Sequence, residues 1–284
     1  MTRTRPMQSR SLPKFRRPPV IETIIGVQFD PLPKFRNAHL GAFWTTLGQD
    51  WPRVSDAPTL EPQFERFGEG DRWGKLRFKV TQDPSTRARI EHADGTQMIQ
   101  VQNGRFHYNW LGKGGGQYPH YPNVRAAFDC QLAHFRSFLA SSALGELRPN
   151  QWEVTYLNHI PKGTVWQTPA DWPALLAGLA APSAGPASTR LESAAGEWHY
   201  EIPPQLGRLH VQLVHGKGSE TDDGELLQLT LTARGPISEQ TGPTDTWTQL
   251  SNGLDLGHRV IVLAFLDLTS DAAHEFWGLI HENG

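Results

Sequence analysis

Apolar and polar positions alternate along residues 20–29, and this alternation predicts a strand. One face carries apolar and β-branched side chains, namely Ile21, Thr23, Ile25, Val27 and Phe29. Glu22, Gly26 and Gln28 fall on the other face, so the pattern has the period of two that a half-buried strand shows. Pro31 and Pro33 end the strand, because prolines cannot donate to a strand ladder. A helix is predicted next, with Asn37 as its N-cap and an apolar stripe at Leu40, Phe43, Trp44 and Leu47.

The same order of elements begins again near residue 151. Alternation predicts a strand over residues 151–160, with one face formed by Trp152, Val154, Tyr156, Asn158 and Ile160. The segment Thr168-Pro169-Ala170-Asp171 combines a cap residue, a proline and an acid, which together indicate the start of a helix. Apolar residues then recur at helical spacing, at Trp172, Leu175, Leu176 and Leu179.

Each opening strand and helix leads into further strands and then a long amphipathic helix. The predicted strands span residues 73–80, 87–93, 97–102 and 105–110, and later residues 189–201, 207–215 and 225–233. Asn103-Gly104 is a strong hairpin signal between two of them. The closing helices have matching apolar spacing, in Val124, Phe128, Leu132, Phe135 and Leu139, and in Leu250, Leu254, His258, Ile261 and Phe265. A short last helix is predicted from Thr269 or Ser270 through His274 and Trp277.

These patterns predict an α+β fold built from a tandem duplication of a β-α-β(3–4)-α unit. We expect a mainly antiparallel sheet with the helices packed on one face, a plan that resembles TATA-binding-protein-like folds. Residues 1–17 are assigned to a disordered basic arm, with ordered structure beginning at Pro18. Residues 18–163 form the first half and residues 164–284 the second, while the strand over 151–160 fits either half.

Composition narrows the class of protein. The chain has 284 residues, of which 38% are hydrophobic and 20% charged, as in ordinary globular proteins. It lacks an apolar run long enough for a bilayer and the apolar segment of a signal peptide, and its one cysteine, Cys130, cannot form an internal disulfide. We therefore expect a cytoplasmic protein of bacterial type that does not enter the membrane. Six basic residues and no acid lie within residues 1–20, so that arm could contact nucleic acid or remain solvated.

The segment from Tyr118 to Arg125 is the first candidate for a binding site. Aromatic, imidazole, amide and guanidinium groups are crowded before a predicted helix N-terminus, in Tyr118, His120, Tyr121, Asn123 and Arg125. Such a helix start can bind an anion or a carboxylate. The alternative is structural: the tyrosines pack the loop and Asn123 caps the helix.

Tyr156 and Asn158 are the second candidate, since they share one face of the strand over residues 151–160. They either anchor a polar network between the two halves or line a ligand pocket. No metal and no cofactor is predicted, because His210 and His215, five residues apart, point to opposite faces of a strand. The glycine-rich segment at residues 112–116 lacks phosphate-loop spacing and is predicted to be a loop. Cys130, one helical turn from His134, lacks a third orienting group and is expected to be idle.

Several segments carry a resemblance that covers almost the whole chain after residue 17. They are Pro18-Pro19-Val20-Ile21-Glu22, Ile99-Gln100-Val101-Gln102 with Phe106 and Asn109-Trp110, Tyr118 to Phe128, Glu153 to Asn158, and His258 to Gly278. In these the chain resembles a sporadically distributed family of uncharacterised bacterial proteins of about 260 residues. The resemblance implies no activity, cofactor or site residue. The patchy distribution of that family is typical of horizontally transferred modules such as defence or toxin–antitoxin loci.

Three functional hypotheses follow from the sequence. The first is a non-enzymatic binding or accessory protein that engages a protein or peptide partner through the open face of the sheet. The second is a nucleic-acid-associated protein that uses a saddle-like sheet and the basic arm. The third is a small-molecule-binding protein or an unfamiliar enzyme built around His120, Arg125, Tyr156 and Asn158. A homo-oligomer is compatible with all three.

Overall fold

Two antiparallel strands, β2 (Val20–Phe29) and β7 (Pro149–Pro161), lie at the centre of the molecule. They belong to a nine-stranded sheet in a computed structural model that describes residues 11–67, 86–112, 117–176, 178, 189–218, 224–238 and 245–280. The other strands are β3 (Arg53–Pro58), β4 (Thr86–Glu91), β5 (Gln97–Gln102), β6 (Arg105–Leu111), β8 (Ala195–Ile202), β9 (Gly207–Lys217) and β10 (Glu225–Pro236). Their order is β3-β4-β5-β6-β2-β7-β10-β9-β8, with antiparallel neighbours, so the fold is α+β as predicted.

The predicted strands agree with the observed ones except near some ends. The prediction over residues 97–102 matches β5, and alternation places Ile25 and Val27 in the core of the sheet. The strand predicted over residues 189–201 begins later, at Ala195. Outside the described residues lie the strand predicted over 73–80, residues 113–116 of the glycine-rich segment and residues 181–188 of the second half.

The helices occupy the predicted positions with corrected ends. They are α1 (Asn37–Thr46), α2 (Tyr121–Ser141), a 3-10 turn (Pro169–Asp171), α3 (Trp172–Leu175), α4 (Thr246–Leu268) and α5 (Asp271–Phe276). Helix α3 ends at Leu175, earlier than predicted, and Leu179 of the predicted stripe lies outside the described residues. The carbonyl of Leu175 instead accepts from the N–H of Ser270, which draws the chain out of the helix and toward the α4–α5 junction. No helix in this described part of the chain is both long and apolar enough to cross a bilayer.

Two predicted caps are also wrong. Asn37 is the first residue of α1 and Arg36 is its N-cap, with the Arg36 N–H donating to the ring of His39. Asn123 lies inside α2, where its Nδ2 donates to the carbonyl of Pro119 at 2.7 Å, and His120 is the N-cap. In both cases the helix starts earlier than the cap preference indicates, and the backbone carbonyls of Arg36 and His120 accept from N–H groups of the first turn.

Helices α2 and α4 pack side by side and antiparallel on one face of the sheet. The guanidinium of Arg136 lies 3.8 Å from the centre of the Trp247 ring, near the C-terminal end of α2 and the start of α4. Phe135 stacks on Phe106 of β6 at 5.4 Å, which fixes α2 on the first half of the sheet.

Trp152 of β7 fixes α4 on the second half, because four glycines leave room for its ring. They lie on α4 and on β9 and β10, and are Gly207, Gly235, Gly253 and Gly257. A methyl carbon added to any of them would come within 2.9 Å of a ring atom of Trp152. The helix backbone therefore approaches the sheet as closely as the indole allows.

The N-terminal strap, residues 12–17, is ordered and tied to the C-terminal part of the chain. Strand β1 (Lys14–Phe15) pairs with β11 (Leu279–Ile280), and the N–H of Arg17 donates to the carbonyl of Trp277. Phe15 is buried against Phe265 with the ring centres 5.7 Å apart. Ordered structure therefore begins before Pro18, contrary to the prediction, because one aromatic side chain anchors an otherwise basic segment. Residues 1–10 lie outside the described residues.

The face of the sheet opposite the helices is crossed by the cross-sheet segment, residues 60–67. Three glutamine side chains hold its backbone. Gln102 accepts from the Leu60 N–H and donates to the Leu60 carbonyl, both at 2.8 Å. Gln28 accepts from the N–H of residue 63 at 3.0 Å. Gln151 donates to the carbonyl of residue 63 and accepts from the N–H of residue 65, the latter at 2.9 Å. Part of the predicted open face is therefore covered by the chain itself.

Candidate functional site

A cavity of about 470 Å³ lies between the N-terminal strap, the start of α2, the middle of α4 and strand β7. Its lining is mainly apolar and aromatic: Leu12, Pro13, Lys14, Phe15, Pro18, Val20, Tyr118, His120, Tyr121, Pro122, Tyr156, Asn158, Leu231, His258, Ile261, Val262 and Phe265. Its volume falls in the range of small-molecule sites. We call it the seam cavity, because the central strand pair β2 and β7 meets there.

Three aromatic side chains of the seam cavity form a hydrogen-bonded relay. The hydroxyl of Tyr118 donates to the hydroxyl of Tyr156 at 2.9 Å. Tyr156 Oη lies 2.8 Å from Nδ1 of His258, on α4. This aromatic relay joins the loop before α2, strand β7 and helix α4, so each ring is positioned by a different element.

The ring of Tyr121 stacks flat on the imidazole of His258. The ring centres are 3.9 Å apart and the planes are parallel within 1°. The Tyr121 hydroxyl donates to a carboxylate oxygen of Asp255 at 3.0 Å, one turn earlier on α4. Stacking on one side and the bond from Tyr156 on the other leave the imidazole a single orientation.

Burial keeps the aromatic relay uncharged. It raises the pKa of Tyr156 well above its usual value of 10.0. Burial likewise lowers the pKa of His258 from 6.5 to about 4, since the charged imidazolium would be desolvated there. Both side chains are therefore neutral at physiological pH, and the relay offers hydrogen bonds without ionic charge of its own.

Asn158 and His120 complete the polar part of the seam cavity. Asn158 is buried, and its Nδ2 donates to the carbonyl of Leu229 on β10 at 3.0 Å. His120 lies at the exposed rim with φ of 64° and ψ of 152°, a backbone region in which glycine is normally found. The carbonyl of His120 accepts from the N–H groups of Asn123 and Val124, so the strained residue also begins α2.

Five of the seven sequence-predicted residues line the seam cavity and two do not. The five are Tyr118, His120, Tyr121, Tyr156 and Asn158. Arg125 instead forms ion pairs with Asp129 at 3.0 Å and Asp255 at 2.9 Å, and donates to the hydroxyl of Ser251. Arg125 therefore joins α2 to α4. Asn123 bonds the backbone of its own loop, as described above.

Sequence reasoning missed the contribution of α4 and of the N-terminal strap. His258, Ile261 and Phe265 follow one another at helical spacing, and this spacing was interpreted only as a packing stripe. The signal that could have separated His258 from its neighbours is its polarity within an apolar stripe. Phe15, in turn, is the one large aromatic residue among the basic residues of the N-terminal segment.

The opposite face of the sheet carries a second group of charged residues, close to the cross-sheet segment. Glu153 lies within 3.9 Å of the guanidinium groups of Arg105 and Arg234 and 3.7 Å from His107. Burial would raise the pKa of Glu153, but its electrostatic interactions with His107, Arg105 and Arg234 lower it below its usual value. Burial lowers the pKa of His107 to about 4. The central charges of this face are therefore paired inside the protein.

Glu65, near the end of the cross-sheet segment, forms a second set of ion pairs. Its carboxylate contacts Arg208, lies 2.7 Å from Nε2 of His210 and 3.2 Å from Nε of Arg234. Burial alone would raise the pKa of Glu65, yet the hydrogen bond and charge of His210 and the two guanidinium groups lower it. Glu65 is thus an ionised carboxylate that fixes the end of the segment on β9 and β10.

Two other depressions are present in the described part of the chain. One, of about 650 Å³, lies along the C-terminal end of α2, and the other, of about 680 Å³, lies between Pro18 and Leu226. Neither contains a relay of hydrogen-bonded aromatic side chains. Cys130 is exposed on α2 and does not line the seam cavity.

Comparisons of the chain with protein-family models, with curated proteins and with solved structures gave no match. The resemblance to a bacterial family therefore stays a prediction, and the geometry of the chain's own residues carries the functional argument.

Proposed function

We propose that the protein is a non-enzymatic binding protein whose ligand site is the seam cavity. The observation that carries this proposal is the convergence of three separate elements on one neutral, hydrogen-bonded aromatic relay inside an apolar cavity. Apolar cavities with a few convergent polar groups are the usual form of small-molecule sites.

The chemistry of the lining favours a neutral, largely apolar ligand with one hydrogen-bond acceptor. Because Tyr118 donates to Tyr156, we assign the Tyr156 proton to the hydrogen bond with Nδ1 of His258, and the imidazole hydrogen to Nε2. The relay then ends in a donor. Among the described lining residues none is acidic, so a cationic ligand would find no counter-charge.

The same groups are poorly suited to acid–base catalysis near neutral pH. A general base works best when its pKa is close to the working pH. His258, with a pKa of about 4, and Tyr156, with a pKa well above 10.0, are both far from that condition. Binding therefore accounts for the site better than proton transfer does.

Nile red, a neutral apolar dye, tests the proposal. We expect its fluorescence to rise on binding to the wild-type chain, and a Val262→Trp variant to weaken that binding at least tenfold because the indole fills the seam cavity. Ala140→Trp, in the depression along α2, is the matched control and should bind the dye as wild type does. Equal binding by wild type and Val262→Trp, with unchanged thermal melting, would remove the seam cavity from consideration. Native mass spectrometry of protein from its own host would then identify a retained ligand.

The protein-partner and nucleic-acid hypotheses remain predictions, and the geometry supports them less well. Both use the open face, where Glu153 and Glu65 pair with the arginines and the cross-sheet segment occupies part of the surface. Nucleic-acid binding should weaken with salt. Deletion of residues 1–10 removes basic charge without removing the N-terminal strap, and so separates this hypothesis from an effect on the seam cavity.

We further infer that the chain is a tandem duplication on the TATA-binding-protein-like plan. The strand order supports this inference: from the centre outward the first half runs β2, β6, β5, β4 and the second runs β7, β10, β9, β8. In each half a long helix follows the strand that returns to the centre. When the strands of residues 20–141 are superposed on those of residues 149–268, α2 should coincide with α4. A superposition that leaves the two helices apart would contradict the duplication.

A further inference from the structure

We propose that His199 and His210, together with Glu197, form a binding site for a divalent transition metal such as zinc. The three residues lie on the hairpin of β8 and β9, on the face of the sheet opposite the seam cavity. One ligand atom from each lies within 4.8 Å of the other two. This metal site is independent of the proposed ligand.

The two histidines face each other directly across the hairpin. They are register partners on neighbouring strands, and their ring centres are 4.8 Å apart. Nδ1 of His199 lies 2.7 Å from Nδ1 of His210. Two lone pairs cannot be that close unless a proton or a cation lies between them.

The far nitrogen of each ring faces a carboxylate. Nε2 of His210 lies 2.7 Å from Oε1 of Glu65, and Nε2 of His199 lies 3.8 Å from Oε1 of Glu197. Glu65 is within hydrogen-bond distance and favours a hydrogen on Nε2 of His210, which leaves Nδ1 of that ring as a lone-pair donor. Glu197 is beyond hydrogen-bond distance of His199 and is free to act as the third ligand, and the proton shared by the two Nδ1 atoms is released when the metal binds. Metal-bound histidines commonly have such a carboxylate on the second ring nitrogen.

Glu65 gives the His210 ring a fixed orientation. The carboxylate is buried, and Arg208 and Arg234 contact its oxygens. It cannot leave His210 without exposing paired charges, so one ligand is held in place before any metal arrives. A rigid first ligand reduces the ordering that binding requires.

His199 and Glu197 supply the adjustable part of the site. Both lie on the outermost described strand, β8, and not in the interior of the sheet. Zinc needs nitrogen ligands at about 2.0–2.1 Å, which in a tetrahedral site sets them about 3.4 Å apart. The Nδ1 atoms must therefore separate from 2.7 Å when the metal binds, and the ring of His199 moves because Glu65 holds that of His210. Two histidines and one glutamate leave a fourth position for water or another ligand.

The spacing of His199 and His210 in the sequence gives no metal motif, because they lie eleven positions apart with a turn between them. A hairpin that pairs Ile202 with Gly207 across Pro203-Pro204 nevertheless sets His199 opposite His210. The pairing of strands, and not a spacing rule, brings the ligands together.

Isothermal titration of the chelator-treated full-length protein with zinc chloride tests the site. We expect one zinc per chain, and at least a tenfold loss of affinity in His199→Asn and in His210→Asn. Glu65→Gln should lower the affinity about 10- to 100-fold through the orientation of His210. His134→Asn, on the other face of the molecule, is the control and should bind as wild type does. Copper substitution adds a direct signature, since paramagnetic resonance should show coupling to two imidazole nitrogens, and to one in His199→Asn.

His199 decides the outcome if His210→Asn fails to fold, because loss of the His199 ring leaves Glu65 paired with His210 and two arginines. No binding at up to 1 mM zinc, or stoichiometric binding unchanged in His199→Asn, would overturn the proposal. A copper spectrum with the same nitrogen coupling in wild type and His199→Asn would do so as well.

Discussion

Gly253 lies on the face of α4 that packs on Trp152, and its replacement by alanine is the sharpest test of how the helix meets the sheet. A methyl carbon at this position would lie 2.5 Å from Cγ of the indole. The indole cannot move away from the added methyl group, because the backbone at Gly235 and Gly207 lies close to its six-membered ring. A methyl carbon added at either of these glycines would also come within 2.9 Å of a ring atom. Gly41 on α1 offers the matched position, since an added methyl there meets nothing within 4 Å.

Two opposing terms set the size of the effect. Alanine stabilises a helix interior over glycine by about 1 kcal/mol, and at Gly41 this term acts alone. At Gly253 overpacking of a rigid ring adds a cost near the upper end of the usual range, about 3 kcal/mol. We therefore expect Gly253→Ala to lose about 2 kcal/mol of the free energy of unfolding and Gly41→Ala to gain about 1 kcal/mol. In a chain of this size these changes shift Tm by roughly −4 to −8 °C and +2 to +4 °C.

Urea denaturation followed by circular dichroism measures both variants against wild type. The Trp152→Leu background identifies the cause, because Gly253→Ala should become neutral or stabilising once the indole is gone. If Gly253→Ala raises the free energy of unfolding as Gly41→Ala does, the close packing of α4 on Trp152 is refuted. An equal loss in the Trp152→Leu background would assign the clash to another neighbour.

Three further predictions follow from buried and strained groups. Because the pKa values of His107 and His258 are lowered to about 4 from 6.5, the unfolded chain binds more protons between those pH values. The free energy of unfolding should therefore fall by about 2 kcal/mol per histidine as pH falls from 7.5 to 5. The fall should be less steep in His258→Phe, and an unchanged slope in that variant would contradict a lowered pKa of His258. A double-mutant cycle between Arg125→Met and Asp255→Asn should give a coupling of about 0.5 to 1 kcal/mol by urea denaturation, because Asp255 is exposed, and zero coupling would exclude a stabilising pair. His120→Gly should raise Tm by relieving the positive φ, and a lower Tm would show that the His120 side chain outweighs the strain.

The alternation of apolar and polar residues predicted most of the sheet because it reports directly which face of a strand is buried. Ile25 and Val27 fall on the helix-covered face as expected, and Asn103-Gly104 forms the turn between β5 and β6. The starts of α1 and α2 were predicted less well, since backbone carbonyls such as that of His120 accept from the first-turn N–H groups without a preferred cap side chain. Strand β1 has two residues, and such a short pattern carries almost no periodic signal.

The candidate site was predicted in part, for a physical reason. Tyr118, Tyr121 and Tyr156 are large aromatic residues close to polar ones, and residues of that kind mark a local concentration of chemistry. His258 joins them only through the packing of α4 on β7, more than one hundred residues from Tyr156 in the sequence. Arg125 has the chemistry of a ligand-binding residue, but a carboxylate on the neighbouring helix satisfies it. Contacts between distant elements decide such cases, and a single sequence does not display them.

The three glutamines that hold the cross-sheet segment have a consequence for which substitutions the chain tolerates. Gln28, Gln102 and Gln151 bond to main-chain atoms of the segment, which every amino acid except proline can supply. The outward-facing residues of the segment, such as Gln63 and Phe64, should therefore accept almost any replacement in a saturation mutagenesis screen. Gln102 and Gln151 should accept very few replacements, not even glutamate, which cannot donate to a carbonyl, whereas Gln28 only accepts from the segment and should tolerate glutamate better. Mutational tolerance on this face should thus follow hydrogen-bonding capacity and not hydrophobicity.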